Sequence, residues 1–283
     1  MITIALLIGT NLAVVFMALL VPIVIYRGTF PISNLESWAM WAGLVALIGV
    51  SGTVISALFA KKIAKSAVYA TTLGTPQTNV ELWVYQTVYD LSLKAGISCP
   101  EISIYEGPPN LLTTGLLKNK ALILISTGLF QTMSESQIKA VIAHEIVHIA
   151  NGDMLTMTLL QGTVNTFTVF LARLVSYTVD TLLLRKSHKV GLSYYVTLAA
   201  AELTIGLLAN LIVAWFSRHR EYKADIESYK LLGTKTPLIA ALTIMTANGQ
   251  KLPLEIRTMG ITGQTGTIFS SHPKLAHRLA ALD

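Results

Sequence analysis

No charged side chain occurs from Met1 to Tyr26, and none from Ser37 to Ala60. A helix crosses about 30 Å of hydrocarbon with about 20 apolar residues at a rise of 1.5 Å each. Both stretches are long enough. A bilayer offers no water to the backbone, so such stretches are read as helices that satisfy their own N–H and C=O groups. The short connection Arg27–Glu36 predicts a helical hairpin. The first stretch lacks a basic start and an Ala-x-Ala site, so it reads as a span rather than a signal peptide. Composition agrees: 13% of the 283 residues are charged and 53% are hydrophobic, against roughly 25% charged in soluble domains. The apolar content excludes disorder. A lone Cys99 excludes an intrachain disulfide and fits a reducing compartment. The formal charge of +6 is read as basic residues flanking membrane spans. No Arg-rich tract with interleaved aromatics occurs, so the lipid bilayer is an expected partner and nucleic acid is not.

Two further apolar stretches, 154–184 and 191–217, are interrupted by Arg173, Asp180 and Glu202. Ionisable groups inside membrane helices are costly and face protein. Arg173 and Glu202 lie equally far from the turn joining these stretches. An antiparallel hairpin would therefore set them at one depth, which predicts an ion pair. Between the apolar regions, residues 66–153 are polar. Asn79–Lys94 reads as a helix, and Glu101–Tyr105 and Ala121–Ser126 as strands. Turn signals stand at Gly107-Pro108-Pro109 and Gly115. Ser134 and Gln137 form a capping-box pattern that opens a helix to about Asn151, ended by Gly152. Residues 218–246 read as helical, 247–271 as a Gly-rich loop and 271–283 as a short closing helix. No internal repeat occurs. Lys61, Lys62 and Lys65 follow the second span, and Arg218, Arg220 and Lys223 follow the fourth stretch. Both groups adjoin the polar region, which the positive-inside rule then places in the cytoplasm. Arg185, Lys186 and Lys189 run against this assignment. Either the second hairpin is partly interfacial or the first hairpin overrides the local bias.

His144-Glu145-Ile146-Val147-His148 is an HExxH motif on an expected helix. Four residues at 1.5 Å rise set the two imidazoles about 6 Å apart along one face, a span that one Zn²⁺ bridges. Glu145 stands beside them, suited to take a proton from the attacking water. A catalytic zinc needs a third protein ligand and an open position. Asn151 and Met154 occupy the places where a metzincin carries Gly and His, which excludes that class. Glu221-Tyr222-Lys223-Ala224-Asp225 has the ExxxD form of a gluzincin. Glu221 is then the third ligand, and Asp225 orients His144 through its second ring N–H. His219 competes as a ligand, but it lies two residues from Glu221 on another helix face, and Glu221 is favoured.

Several segments resemble the HtpX family of membrane-bound zinc metallopeptidases, which are related to the CAAX prenyl endoproteases. They are Pro100–Gly115, Ser126–Leu129 (STGL), Ala143–Gly162 (AHEIVHIANGDMLTMTLLQG), Phe216–Asp225 (FSRHREYKAD) and Ser271–Leu279 (SHPKLAHRL), together with the amino-terminal hairpin. The resemblance implies His144, His148 and Glu221 as zinc ligands and Glu145 as base. It also implies a bacterial-type inner membrane, a cytoplasm-facing site, and quality control of damaged membrane proteins. The family usually reads Asn-Ala-Phe-Ala-Thr-Gly where this chain has Asn110-Leu111-Leu112-Thr113-Thr114-Gly115. The expected fold is a mainly α membrane protein with four transmembrane helices and a small α+β zincin-like catalytic domain. Residues 1–62 and 154–217 form its two hairpins; 63–153 and 218–283 form the two parts of the catalytic domain.

The remaining assignments stay open at this stage. His272 either donates to the tetrahedral intermediate, transiently occupies zinc's open site, or helps cap the last helix, with Arg278 pairing locally. His188 and His277 read as surface residues. The strand Ala121–Ser126 is either a free edge that adds a substrate strand, engaging it through Leu122, Leu124 and the nearby Asn110, or an ordinary core strand. The expected activity is hydrolysis of peptide bonds in unfolded membrane proteins with one Zn²⁺ per chain. A CAAX-type prenyl-peptide protease is the second enzyme reading. An inactive zinc-binding scaffold and a transporter are the others. The intact Glu145 speaks against the scaffold, and four spans without a repeat speak against the transporter.

Overall fold

The structure is a computed structural model that describes residues 55, 58–180, 192–248 and 272–282. Nearly all of the expected first hairpin, the 185–189 cluster with His188, and most of the Gly-rich segment lie outside the described residues. The chain divides into two compact units. The first comprises 57–157 and 214–283, and the second 4–56 and 158–213, apart from the first three residues.

In the first unit a helical segment, 58–67, leads to β1 (Thr71–Thr72), α1 (Asn79–Lys94), β2 (Glu101–Tyr105), β3 (Leu111–Thr114), β4 (Leu122–Ser126), α2 (Thr127–Thr132) and α3 (Glu135–Asn151). The first residues of α4 (Asp153–Thr178), the last part of α5 (Leu192–Leu232), α6 (Thr236–Asn248) and α7 (Leu275–Leu282) complete it. Helix α1 starts on a capping box: Glu81 N donates to Thr78 Oγ1 at 3.2 Å, and Thr78 N to Glu81 Oε2 at 3.3 Å. Its Val84, Val88 and Leu91 recur at helical spacing and are fully buried. Helix α3 starts where Ser134 N donates to Gln137 Oε1 at 2.9 Å. It stops at Gly152, whose φ of 71° is left-handed, a conformation cheap only for glycine. The Lys118 ammonium donates to the Ala150 carbonyl at that helix end, where a cation is favoured.

The sheet order is β1-β2-β4-β3. β4 pairs in parallel with β2 and antiparallel with β3. This decides between the two readings of Ala121–Ser126: it is the core strand, not a free edge. Leu122 and Leu124 have no exposed surface and cannot reach a substrate. They pack with Ala64, Tyr105 and Leu112 on one face of the sheet. Ile123 and Ile125 join α1, α3, α6 and α7 on the other. A near-continuous apolar run marks a strand covered on both faces. The edge among the described strands next to β4 is β3, a strand the sequence reading missed between its two turn signals. The loop before β3 is held close: Gly128 N donates to Gly107 O at 3.1 Å, and Ser126 bonds the Asn110 backbone at 2.8 and 3.0 Å.

In the second unit, α4 and α5 are the two described helices long and apolar enough to span a bilayer. The other two expected spans lie outside the described residues. Phe167, Leu203, Leu208 and Ile212 are more than half exposed, as lipid-facing side chains would be. Ala172, Leu198 and Ala201 form a buried seam in which small residues let the helices approach. The expected Arg173–Glu202 pair is present at 3.9 Å. Asp180 accepts from Ser193 Oγ at 2.6 Å, so the polar groups face protein. The sequence reading treated 191–217 and the helical region after it separately, yet α5 runs 41 residues unbroken. It ends at Gly233, whose φ is 79°.

Two outcomes follow from these contacts. A Cβ on Gly128 would sit 2.5 Å from Gly107 O and 2.7 Å from Pro109 N. Gly128→Ala is therefore expected to destabilise by about 1–3 kcal/mol, as overpacking does, read as a shifted unfolding midpoint in detergent. At Glu101, partial burial pushes the carboxyl up, but Lys61, at 2.6 Å, and Lys65 outweigh it and hold it below its ordinary value. A depressed folded pKa means stability present above the unfolded value and lost as pH falls through the folded one. Glu101→Gln should thus lower the unfolding free energy at pH 7 by under about 1 kcal/mol, given its exposure, with the difference fading below about pH 4.

Candidate metal centre

His144 and His148 sit one turn apart on α3, their rings edge to face with centroids 4.7 Å apart. Their Nε2 atoms approach to 3.1 Å. Glu221 of α5 points its carboxylate between them: Oε2 lies 3.6 Å from His144 Nε2 and Oε1 lies 3.4 Å from His148 Nε2. Four tetrahedral ligands at zinc distances are spaced about 3.3 Å from one another. The triangle His144–His148–Glu221 has edges of that size. Two imidazole nitrogens and one carboxylate are the donor set of a catalytic zinc with one position left for water or substrate. All three side chains are buried.

The other ring nitrogen of each histidine meets a carboxylate. His144 Nδ1 lies 3.0 Å from Asp225 Oδ1. His148 Nδ1 lies 2.5 Å from Asp153 Oδ2. Such partners fix the tautomer and turn Nε2 toward the metal. Each carboxylate in turn meets a guanidinium. Arg278 of α7 grips Asp225 through Nε and Nη2 at 2.8 and 2.6 Å. Its Nη1 lies 3.6 Å from Glu221 Oε2. Arg220 Nη1 lies 3.7 Å from Asp153 Oδ2. His272 Nδ1 lies 3.2 Å from Glu221 Oε2. Glu145, one residue beyond His144, is buried and near enough that its charge raises His148.

Counted as charges, Glu145, Asp153, Glu221 and Asp225 oppose Arg220 and Arg278. The excess is two negative charges, which a divalent cation cancels. Buried charge left uncancelled is expensive, so the residues fit such an ion. The electrostatics follow the same logic. Burial alone would raise Glu221, but His272, His144 and His148 hold it well below the usual carboxylate range. Burial would raise Asp225, and Arg278 outweighs it and lowers it. Burial would lower His148, yet Asp153 and Glu221 push it up to about 10. Asp225 and Glu221 likewise raise His144. A metal that takes the Nε2 position displaces a proton, so binding should release protons.

Helix geometry explains the assembly. Asp225 follows Glu221 by one turn of α5, so both face α3. His219 is exposed and stacked on Trp215 at 6.0 Å, which leaves the inward position to Glu221. His277 is exposed. Thus the structure gathers His144, Glu145, His148, Glu221, Asp225 and His272. It buries Asn110 at the start of β3 and puts Leu122 and Leu124 on the sheet face away from α3. Arg278 does not pair locally but reaches Asp225 in α5. Asp153, Arg220 and Arg278 were missed as site residues. No periodicity marks them, although Asp153 directly follows the helix-ending glycine.

Comparisons with known proteins place the chain among peptidases. The model of peptidase family M48 matches residues 78–283. A protein named "Protease HtpX homolog" from Acidovorax ebreus is 42% identical over 99% of this chain and 97% of its own length. One from Bordetella pertussis is 45% identical over 84% of this chain and 83% of its own. The crystal structure of S. mikatae Ste24p resembles this chain with a TM-score of 0.60 at 21% identity, a likeness of fold. It covers 99% of this chain, which spans 64% of the Ste24p chain.

Arg278→Leu leaves Asp225 buried opposite no guanidinium. The expected cost is about 3–5 kcal/mol, as for other broken buried pairs, measured by denaturant unfolding in detergent. Arg278→Lys should recover part of it.

Proposed function

The chain belongs to peptidase family M48 and is a metallopeptidase; we propose that its metal is one Zn²⁺ per chain and its substrates are misfolded or damaged membrane proteins. In this reading it acts in stress-related quality control as a multi-pass protein of a bacterial-type inner membrane, with its site facing the cytoplasm. Helices α4 and α5 support the membrane assignment. Lys61, Lys62, Lys65, Arg218, Arg220 and Lys223 support the orientation. Residues 1–62 and 154–217 are the membrane hairpins of this reading, and 63–153 with 218–283 its catalytic parts.

The observation that carries the reading is the His144–His148–Glu221 triangle with Glu145 buried beside it. When bound, the zinc supplies Lewis-acid polarisation and makes water a competent nucleophile near neutral pH. His144, His148 and Glu221 hold it. Glu145 accepts the proton of the attacking water and returns it to the leaving amine, so no covalent enzyme intermediate forms. His272, held against Glu221, donates a hydrogen bond to the oxyanion that develops on the scissile carbonyl. A substrate strand aligns along the edge of β3, and backbone pairing gives affinity without strict sequence. That suits a protease acting on unfolded segments.

The test pairs zinc quantification with cleavage of an unfolded membrane protein in detergent. Wild type should hold one zinc and lose activity to a chelator. Glu145→Gln should keep the zinc and lose nearly all turnover. Undiminished cleavage by that variant would refute the base assignment. Cleavage confined to prenylated peptides would move the substrate assignment to the CAAX class.

A further inference from the structure

The two metal histidines are each backed by an aspartate, and each aspartate by an arginine. One chain runs His144–Asp225–Arg278. The other runs His148–Asp153–Arg220. We propose that Asp153, steadied by Arg220, is the positioning residue of His148, an inference that rests on the zinc reading above.

The backbone argues for this role. In an unbroken helix the fifth residue beyond His148 would lie about 140° around the axis and point away from it. Gly152, in the left-handed region at φ 71°, ends α3 and turns the chain. Helix α4 then starts at the next residue, Asp153. That break is what returns the Asp153 carboxylate to His148 Nδ1 at 2.5 Å. Asp153 is buried, where an unpaired carboxylate would be costly. Helix α5 supplies the compensation. Its Glu221 reaches the metal triangle while the preceding Arg220 places Nη1 3.7 Å from Asp153 Oδ2. Arg220 also donates to Ser217 Oγ at 3.4 Å, which anchors it within its own helix. The aspartate thus holds the Nδ1 proton, and Nε2 is left to face the metal.

A different role is available to an aspartate at this place. An acidic residue in the first turn of α4 favours that helix whatever His148 does. Asp153→Ser separates the two, because serine is also a good helix-start residue but cannot reach His148 as a carboxylate does. The measurement is zinc affinity by competition with a chromophoric chelator, on full-length protein in detergent. The unfolding midpoint of chelator-stripped samples is measured alongside. Asp153→Ser should bind zinc about 10–100-fold more weakly, the usual effect of losing such a partner. Its stripped midpoint should stay near that of wild type. Asp153→Asn keeps an acceptor oxygen and should fall between the two. Arg220→Gln, which leaves the start of α4 untouched, should weaken zinc several-fold. Wild-type zinc affinity in Asp153→Ser overturns the proposal. If that variant does not fold, wild-type affinity in both Asp153→Asn and Arg220→Gln overturns it instead. Wild-type protein that binds no zinc overturns the underlying metal reading rather than this step.

Discussion

Four buried carboxylates meet the buried Arg278 and the partly buried Arg220 within one site, and the excess of negative charge governs how the first unit is built. Charges withdrawn from water must be cancelled at close range. Glu221 cannot sit between two histidines unless a cation or protons offset it. Asp225 cannot stay buried without the two-pronged grip of Arg278. This requirement ties α3, the last part of α5 and α7 into one cluster. The final helix is thereby part of the candidate metal centre: its Arg278 joins α5 from 53 residues away.

Helix α5 does several jobs because of its length. Its apolar part carries the seam with α4 and the partner of Arg173. Its charged part carries Arg220, Glu221 and Asp225, which face three different members of the centre. A continuous helix fixes the angular relation of these three side chains, which a flexible join would not. Rigid elements hold catalytic geometry better than loops do. Gly152 has the opposite function. It breaks α3 where continuing the helix would carry Asp153 away from His148.

The site was legible in the sequence wherever its logic was local. HExxH and ExxxD are spacings on one helix face, so His144, His148, Glu221 and Asp225 could be named, and Glu145 with them. The ends of α3 were legible too, because capping and left-handed glycine are decided by a few adjacent residues. The Arg173–Glu202 pair was legible because a hairpin makes depth countable. The place of the Ala121–Ser126 strand in the sheet was not. An apolar run such as Leu122–Ser126 says that both faces are covered, but not which edges are paired, and the pairing with β2 and β3 removed it as an edge.

What the sequence by itself determined was the set of helical faces, the membrane-length apolar stretches and the three candidate metal ligands, His144, His148 and Glu221. Each of these depends on a period of the backbone. What only the tertiary structure decided was which charge compensates which. Arg278 on Asp225 and Arg220 on Asp153 join residues far apart in the chain, and Asp153 reaches His148 only across a helix break. Buried ion pairing depends on distances through space of a few ångströms, and a sequence carries no such distance until the helices are packed.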